Sequence, residues 1–390
     1  MLTFRSILNV AVISLVWVGL TACKKEDPEI SKGFIKYYGG IDVDAASDIL
    51  QGSDGSIFIL GTTVLEGKSK SDVLLLKVNN AGAIDWKLNF GDTLNHIAAS
   101  LCVNYNGEIA VLSTREKNES ENVLNVKLIS QSGTLIWEKE HSLILSKVVA
   151  NDIVLNTDGG FWISALDPES NNGDVWFLKL NTQGDFERQS FKPNFGPDTD
   201  VPTSILLFNN DIWAMSQTST LGGLPRVIAI RQDGSELLAN LFNSSSIDPI
   251  IGRELVSTPD NQLLFCGQSK SGRAFVSKFS PNLNSDILWY SSSAEPNSVF
   301  ESVCMQSSGS ATAAGTDGTG QILLTQFSET GQTNWTKSFG GAGQDKGVKV
   351  INAQDGGFLI LGVVEFGDDP EATDNTIVLI KTDQNGEIGN

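Results

Sequence analysis

From residue 33 onward the chain alternates short apolar runs with turn-forming pairs. Each run is about four to six residues long and rich in Ile, Leu and Val, the pattern of β-strands. The first unit shows the order: DILQG from Asp48, the turn Ser53-Asp54-Gly55, SIFILG ending at Gly61, a longer polar loop, DVLLLKV from Asp72, a turn ending at Gly82, and AIDWKLNFG ending at Gly91. Asp-Gly and Asn-Gly pairs between such runs are hairpin chemistry, because Gly accepts the positive φ that these turns demand. No stretch beyond residue 23 sustains a period of 3.6, so helices are expected to be few.

The same parts recur. A turn Gly and a large apolar residue just after it mark successive units at Gly82/Trp86, Gly133/Trp137, Gly184/Phe186, Gly234/Leu238, Trp289 and Gly331/Trp335, ending at Gly386/Asn390. The spacing of about 50 residues suits one four-stranded propeller blade. The chain is therefore read as all-β, a single seven-bladed β-propeller of four-stranded blades over residues 33–390. Second strands end on small residues (Gly61, Ser113, Ala165, Ser216, Gly267, Gly315, Gly362), as close approach of neighbouring backbones requires. The tryptophans read as blade-to-blade packing rather than as a sugar-stacking platform.

The two ends predict how the ring closes. The last unit stops at Asn390 without an outer strand, while Phe34-Ile35-Lys36-Tyr37-Tyr38-Gly39-Gly40 matches Trp335-Thr336-Lys337-Ser338-Phe339-Gly340-Gly341 and has no unit before it. The N-terminal strand should pair with the last blade and remove its open edge.

Residues 1–22 have the layout of a secretory signal, with Arg5 ahead of an apolar run from Ile7 to Leu20 that is short for a membrane span. The ending Leu20-Thr21-Ala22-Cys23 resembles the lipobox of bacterial lipoproteins, which implies acylation of Cys23 and a tether over 23–32. Lys24-Lys25-Glu26-Asp27 resembles the signal that sends Bacteroidetes-type lipoproteins to the outer face of the outer membrane. The repeat itself, FGGAGQDKGVKVINAQDGGFLILG from Phe339 with a following Lys, Gly and Trp, resembles a secreted Bacteroidetes β-propeller repeat related to quinoprotein-like propellers. Blades 4 and 5 depart from it, with Leu238 in place of Trp and Ala229 in place of Lys. The resemblance implies a propeller on a Gram-negative cell surface and no particular activity.

Composition narrows the chemistry. With 46 Asp+Glu against 27 Lys+Arg, a net charge of −19 argues against nucleic acid as partner. Two His leave little room for a histidine zinc site or triad, and His96 and His141 are expected at the surface. A sialidase is disfavoured because Asn156–Trp162 falls one residue short of the Asp-box spacing. Quinoprotein dehydrogenase chemistry is disfavoured because no adjacent Cys pair exists. Cys102, Cys266 and Cys304 read as buried free thiols.

Two places invite a ligand. One polar residue per inner strand (Asp48, Ser100, Asp152, Ser204, Glu254, Ser302, Lys349) should ring the central channel, with Lys349 near Asp48. A hydrated structural tunnel is favoured there over a cation or small polar ligand held among Asp48, Asp152 and Glu254. The loops entering each blade, and those joining second and third strands, are long and acidic and share one face, the candidate binding face. Asp44, His96, Glu301 and Asp345 are its rim candidates. Asp368, Asp369, Glu371 and Asp374 are weak candidates for calcium, in a loop lacking the spacing of a calcium template. No other cofactor is expected.

The leading expectation is a monomeric, surface-anchored, non-catalytic propeller that binds a glycan or protein through the long-loop face. The alternatives are an extracellular glycan-processing enzyme using rim carboxylates, and a scaffold subunit of outer-membrane machinery.

Overall fold

The computed structural model describes residues 33–39, 43–143, 147–168, 174–191, 200–218, 223–242, 249–282, 286–341, 343–365 and 375–389. These form seven four-stranded antiparallel sheets, with no helix among the described residues. Each sheet is one blade. The innermost strands are Val43–Gln51, His96–Val103, Val149–Leu155, Asp200–Phe208, Pro249–Ser257, Val299–Met305 and Lys346–Asn352, and each lies beside the innermost strand of the next blade.

The core lies between the blades. Ile49, Ile59 and Leu76 of blade 1 pack on Leu359, Leu361 and Leu379 of blade 7, and a comparable cluster fills every other junction. A middle strand therefore buries both of its faces, which explains why Ile57–Val64 and Asp72–Val78 read as apolar runs and not as an alternation. Outermost strands such as Ile84–Phe90 bury much less.

The ring is closed as the matching ends predict. Phe34–Tyr38 pairs antiparallel with Asn375–Thr382 as the outer strand of the last sheet, with Phe34 opposite Lys381 and Tyr38 opposite Ile377. Tyr38 also donates its hydroxyl to the Gly82 carbonyl of blade 1 at 2.8 Å.

The outer tryptophans lock neighbouring blades together. Trp86, Trp137, Trp289 and Trp335 each lie against the outer-turn glycine of the following blade, at Gly133, Gly184, Gly331 and Gly386. Trp86 adds a hydrogen bond from Nε1 to the Gln131 carbonyl at 3.1 Å.

Every inner strand carries a β-bulge at its ring residue, between Ala46 and Asp48 in blade 1 and at the same place in the others except blade 5, where the shift spans Gly252 to Leu255 and so includes Glu254. The bulge pushes the inner strand's carbonyl onto the second strand. A Cβ on Gly267 would lie 1.8 Å from the Ile251 oxygen, and one on Gly315 would lie 1.9 Å from that of Val299. This is the close approach that restricts the position to small residues.

In blades 1, 3, 5 and 7 a third-strand lysine reaches back to the first turn of its own blade, whereas Lys127 of blade 2 meets Glu138 of its outer strand. Lys77 meets Asp54 at 3.6 Å, Lys179 meets Asp158 at 2.7 Å, Lys278 meets Asp260 at 2.8 Å and Lys381 meets Asp355 at 2.7 Å. Blade 4 lacks both partners: Ala229 replaces the lysine, and its turn is Asn209-Asn210, with φ of 50° and 66°.

Candidate functional site

The predicted ring residues all lie on innermost strands at the bulge, and the structure shows what holds them. Asp48 accepts the Leu101 N–H at 2.9 Å, Asp152 that of Ile205 at 2.8 Å, Ser204 that of Leu255 at 3.2 Å, Glu254 that of Val303 at 2.7 Å and Ser302 that of Val350 at 3.0 Å. In each case the donor is the residue just after the next blade's ring residue. The ring thus satisfies backbone groups that the bulges leave outside the sheet ladder. Ser100 lies within hydrogen-bond reach of Asp48 at 3.0 Å and Asp152 at 2.7 Å.

Lys349 cannot accept a hydrogen bond, and it departs from the pattern. Its ammonium crosses the bore to Glu254, and lies 3.9 Å from Asp48, the partner expected from the sequence. Burial disfavours its charge, but Glu254, Asp48 and Asp152 outweigh that and hold its pKa far above the usual range. The converse holds at Asp152. Burial pushes its carboxyl up to about 6, against the opposing pull of Lys349 and of hydrogen bonds from Ser100 and Ile205.

The ring divides the bore. Toward the long-loop face lies a polar chamber of about 150 Å³, lined by Ser47, Asn151, Thr203, Arg253 and Glu301 together with ring residues. Arg253 Nε and a Glu301 carboxylate oxygen are 3.0 Å apart, and burial raises the Glu301 carboxyl despite Arg253 and Lys346 nearby. Strict alternation would turn these lining residues away from the bore. The bulge brings them in, and the only trace in the sequence is that each immediately precedes a ring residue.

Toward the tight-turn face the bore widens to about 510 Å³. Two residues after each ring position stands an apolar side chain: Leu50, Cys102, Val154, Leu206, Val256, Cys304 and Ile351. A spacing of two puts this collar on the same strand face as the ring. Five of the seven, Val154, Leu206, Val256, Cys304 and Ile351, are in the chamber wall. The Cys102, Cys266 and Cys304 thiols are free, and burial raises their pKa, so they are poor nucleophiles.

Most of the rim candidates do not converge. Glu301 joins Glu254 in the polar chamber, whereas Asp44 and Asp345 are not in its wall. Asp345 is 1% exposed and clamps the entry loop, accepting Gly341 N–H at 2.8 Å and Glu365 N–H at 3.2 Å. Asp44 is 2% exposed against Gly39, the equivalent place in blade 1. The expectation of surface histidines is corrected: His96 and His141 are both buried. His96 Nε2 lies 3.3 Å from Asp92, whose carboxyl is lowered to about 2, chiefly by its hydrogen bond from Arg115. His141 packs at a tilt of 52° against Phe186 with ring centres 4.2 Å apart, and burial lowers its pKa.

The long-loop face also needs adjustment. Antiparallel pairing does put the entry loops and the second-to-third-strand loops on one side. However, blade 2 has a two-residue turn between Asn118 and Glu121, and blade 5 turns tightly between Ser269 and Arg273. Its acidity is partly internal, since Asp200 is fully buried with Arg226 at 3.1 Å, and Asp44 and Asp167 are buried too. Asp368, Asp369, Glu371 and Asp374 lie outside the described residues, as does Cys23. Among the described residues no group of three or more His, Cys, Asp or Glu side chains is arranged to hold a metal ion.

No protein-family model matches the chain, and no curated protein matches it in sequence. Its fold is similar to that of solved propellers. The polysaccharide lyase Uly1 aligns with a TM-score of 0.55 and 10% identity over 89% of this chain and 91% of that one. YCF48 bound to D1 peptide gives 0.53 and 10% over 90% and 95%. A protein of unknown function from Dyadobacter fermentans gives 0.52 and 10% over 90% and 98%. At such identities the likeness establishes the fold alone.

Proposed function

We propose that the protein is a lipid-anchored surface lipoprotein of a Gram-negative bacterium, whose propeller binds a glycan or protein through the long-loop face without transforming it. One observation carries the non-catalytic part. Asp48, Asp152 and Glu254, the carboxylates nearest the axis, each accept a backbone N–H from the next blade and so serve as fasteners. A general acid or base needs a lone pair or proton directed at substrate, which these bonds restrict. The binding part is supported by the loops gathered on one side of a rigid closed ring.

The test is charge reversal of Glu116, Glu119 and Glu121 on that face, with retention on cells and on immobilised polysaccharides as the readout. Weakened retention of the folded variant is expected; unchanged retention on every surface would sink the reading.

A second reading, a glycan-processing enzyme, is favoured by Glu301 alone. Its carboxyl is raised by burial and faces a polar chamber, as a general acid requires. It predicts turnover that Glu301→Gln abolishes, and a broad glycan screen without turnover would remove it.

A further inference from the structure

We infer that the wide chamber on the tight-turn side of the bore is a binding site for a small organic cation, a primary ammonium carried on an apolar body. The site lies on the opposite face from the long loops and is independent of what they bind. Its volume of about 510 Å³ is that of a small-molecule site, and its lining combines an apolar collar with polar Ser204, Ser257 and Asn352 and the charged Asp152, Glu254 and Lys349.

The walls and the floor ask for different things of an occupant. Val154, Leu206, Val256 and Ile351 offer no side-chain hydrogen bonds and the Cys304 thiol is given to Asn352 Oδ1, so water filling the chamber would face apolar surface along this collar. The floor holds Asp152, Glu254 and Lys349, with Asp48 beside them in the ring. Lys349 is committed to Glu254 and leans toward Asp48. Among the described residues, no cationic nitrogen lies within ion-pair distance of Asp152.

That imbalance selects the ligand class. Three carboxylates against one ammonium repel an anion and attract a cation. A calcium ion is a poor match, because it requires six to eight oxygens, and the Asp152 oxygens already accept bonds from Ile153, Ser100 and Ile205. An alkylammonium needs only one charged acceptor for its head, and the Asp152 oxygen that takes the Ile205 N–H accepts that single bond, while the collar offers the chain apolar contact.

Calorimetric titration of the full chain with hexylammonium tests this, with hexanoate and hexanol as charge-reversed and neutral controls. Hexylammonium is expected to bind, hexanoate and hexanol at least about tenfold more weakly, and each methylene removed from the chain should weaken binding about threefold to fourfold. Asp152→Asn should cost about tenfold or more, as loss of the charged partner. The wild-type series stands alone if that variant does not fold. Absence of hexylammonium binding at millimolar concentration, equal binding of hexanoate, or an unchanged affinity in folded Asp152→Asn would each overturn the inference.

Discussion

Phe34 rests against Gly82: a Cβ on that glycine would lie 2.9 Å from the phenylalanine ring, although the strand bearing Phe34 is paired to the last blade. It occupies the place that Trp335 takes on Gly386 one junction earlier. The ring is thereby sealed twice at its seam, by backbone pairing within blade 7 and by side-chain packing onto blade 1.

Gly82→Ala should loosen that seam. The residue sits at φ +77°, where a Cβ is strained, and the added methyl meets Phe34 and Lys36. A loss of about 1–3 kcal/mol is expected in urea unfolding. Deleting residues 33–38 should do more, exposing Asn375–Thr382 as an open edge and promoting aggregation, read by light scattering. A deletion variant as soluble and stable as the parent would refute closure by this strand.

Lys381 is the most deeply buried of the third-strand lysines, 1% exposed, with Asp355 at 2.7 Å and Asn80 at 2.8 Å. Lys381→Met leaves Asp355 without its cation and should cost about 2–4 kcal/mol. Adding Asp355→Asn should recover part of the loss, because the stranded charge is gone. A double variant less stable than the single one would show that the pair does not act as a unit.

Asp152 predicts a pH dependence. Its folded pKa of about 6 lies above the unfolded value, so between roughly pH 4 and pH 6 the folded state binds more protons. Its contribution is therefore fully present below about pH 4 and lost as pH rises through about 6, by roughly 2–3 kcal/mol. The charged and polar groups that face it are Asp48, Glu254, Lys349 and the Ser100 hydroxyl. The measurement is the stability difference between wild type and Asp152→Asn across that window. It should shift toward the variant as pH rises, and a flat difference would contradict the assignment.

Cys23→Ala tests the address. The variant should lose labelling by fatty acid and move from the detergent phase to the aqueous phase on partitioning. Retention of both would exclude lipid attachment at that residue.

Much of this was legible from residue types alone. The repeat, the blade count and the strand that closes the ring could be read because each blade uses the same alternation of apolar run and turn. Even the Ala229 irregularity was visible, although its reason was not. That lysine position matters because it faces an acidic turn, and blade 4 has Asn209-Asn210 there instead. The histidines misled because polarity suggests exposure, whereas His96 sits beside Asp92 and His141 packs against Phe186.

Local pattern was enough for the order of strands, the ring of polar positions and the seam, since these follow from periodicity two, turn chemistry and a missing outer strand. The use of the ring was settled by folding. Bulges aim Asp48, Asp152 and Glu254 at backbone groups more than forty residues away in the chain, carry Lys349 across the bore to Glu254, and turn Arg253 and Glu301 inward. Such contacts depend on the distance between strands that only the closed ring brings together, and no local run of residues encodes them.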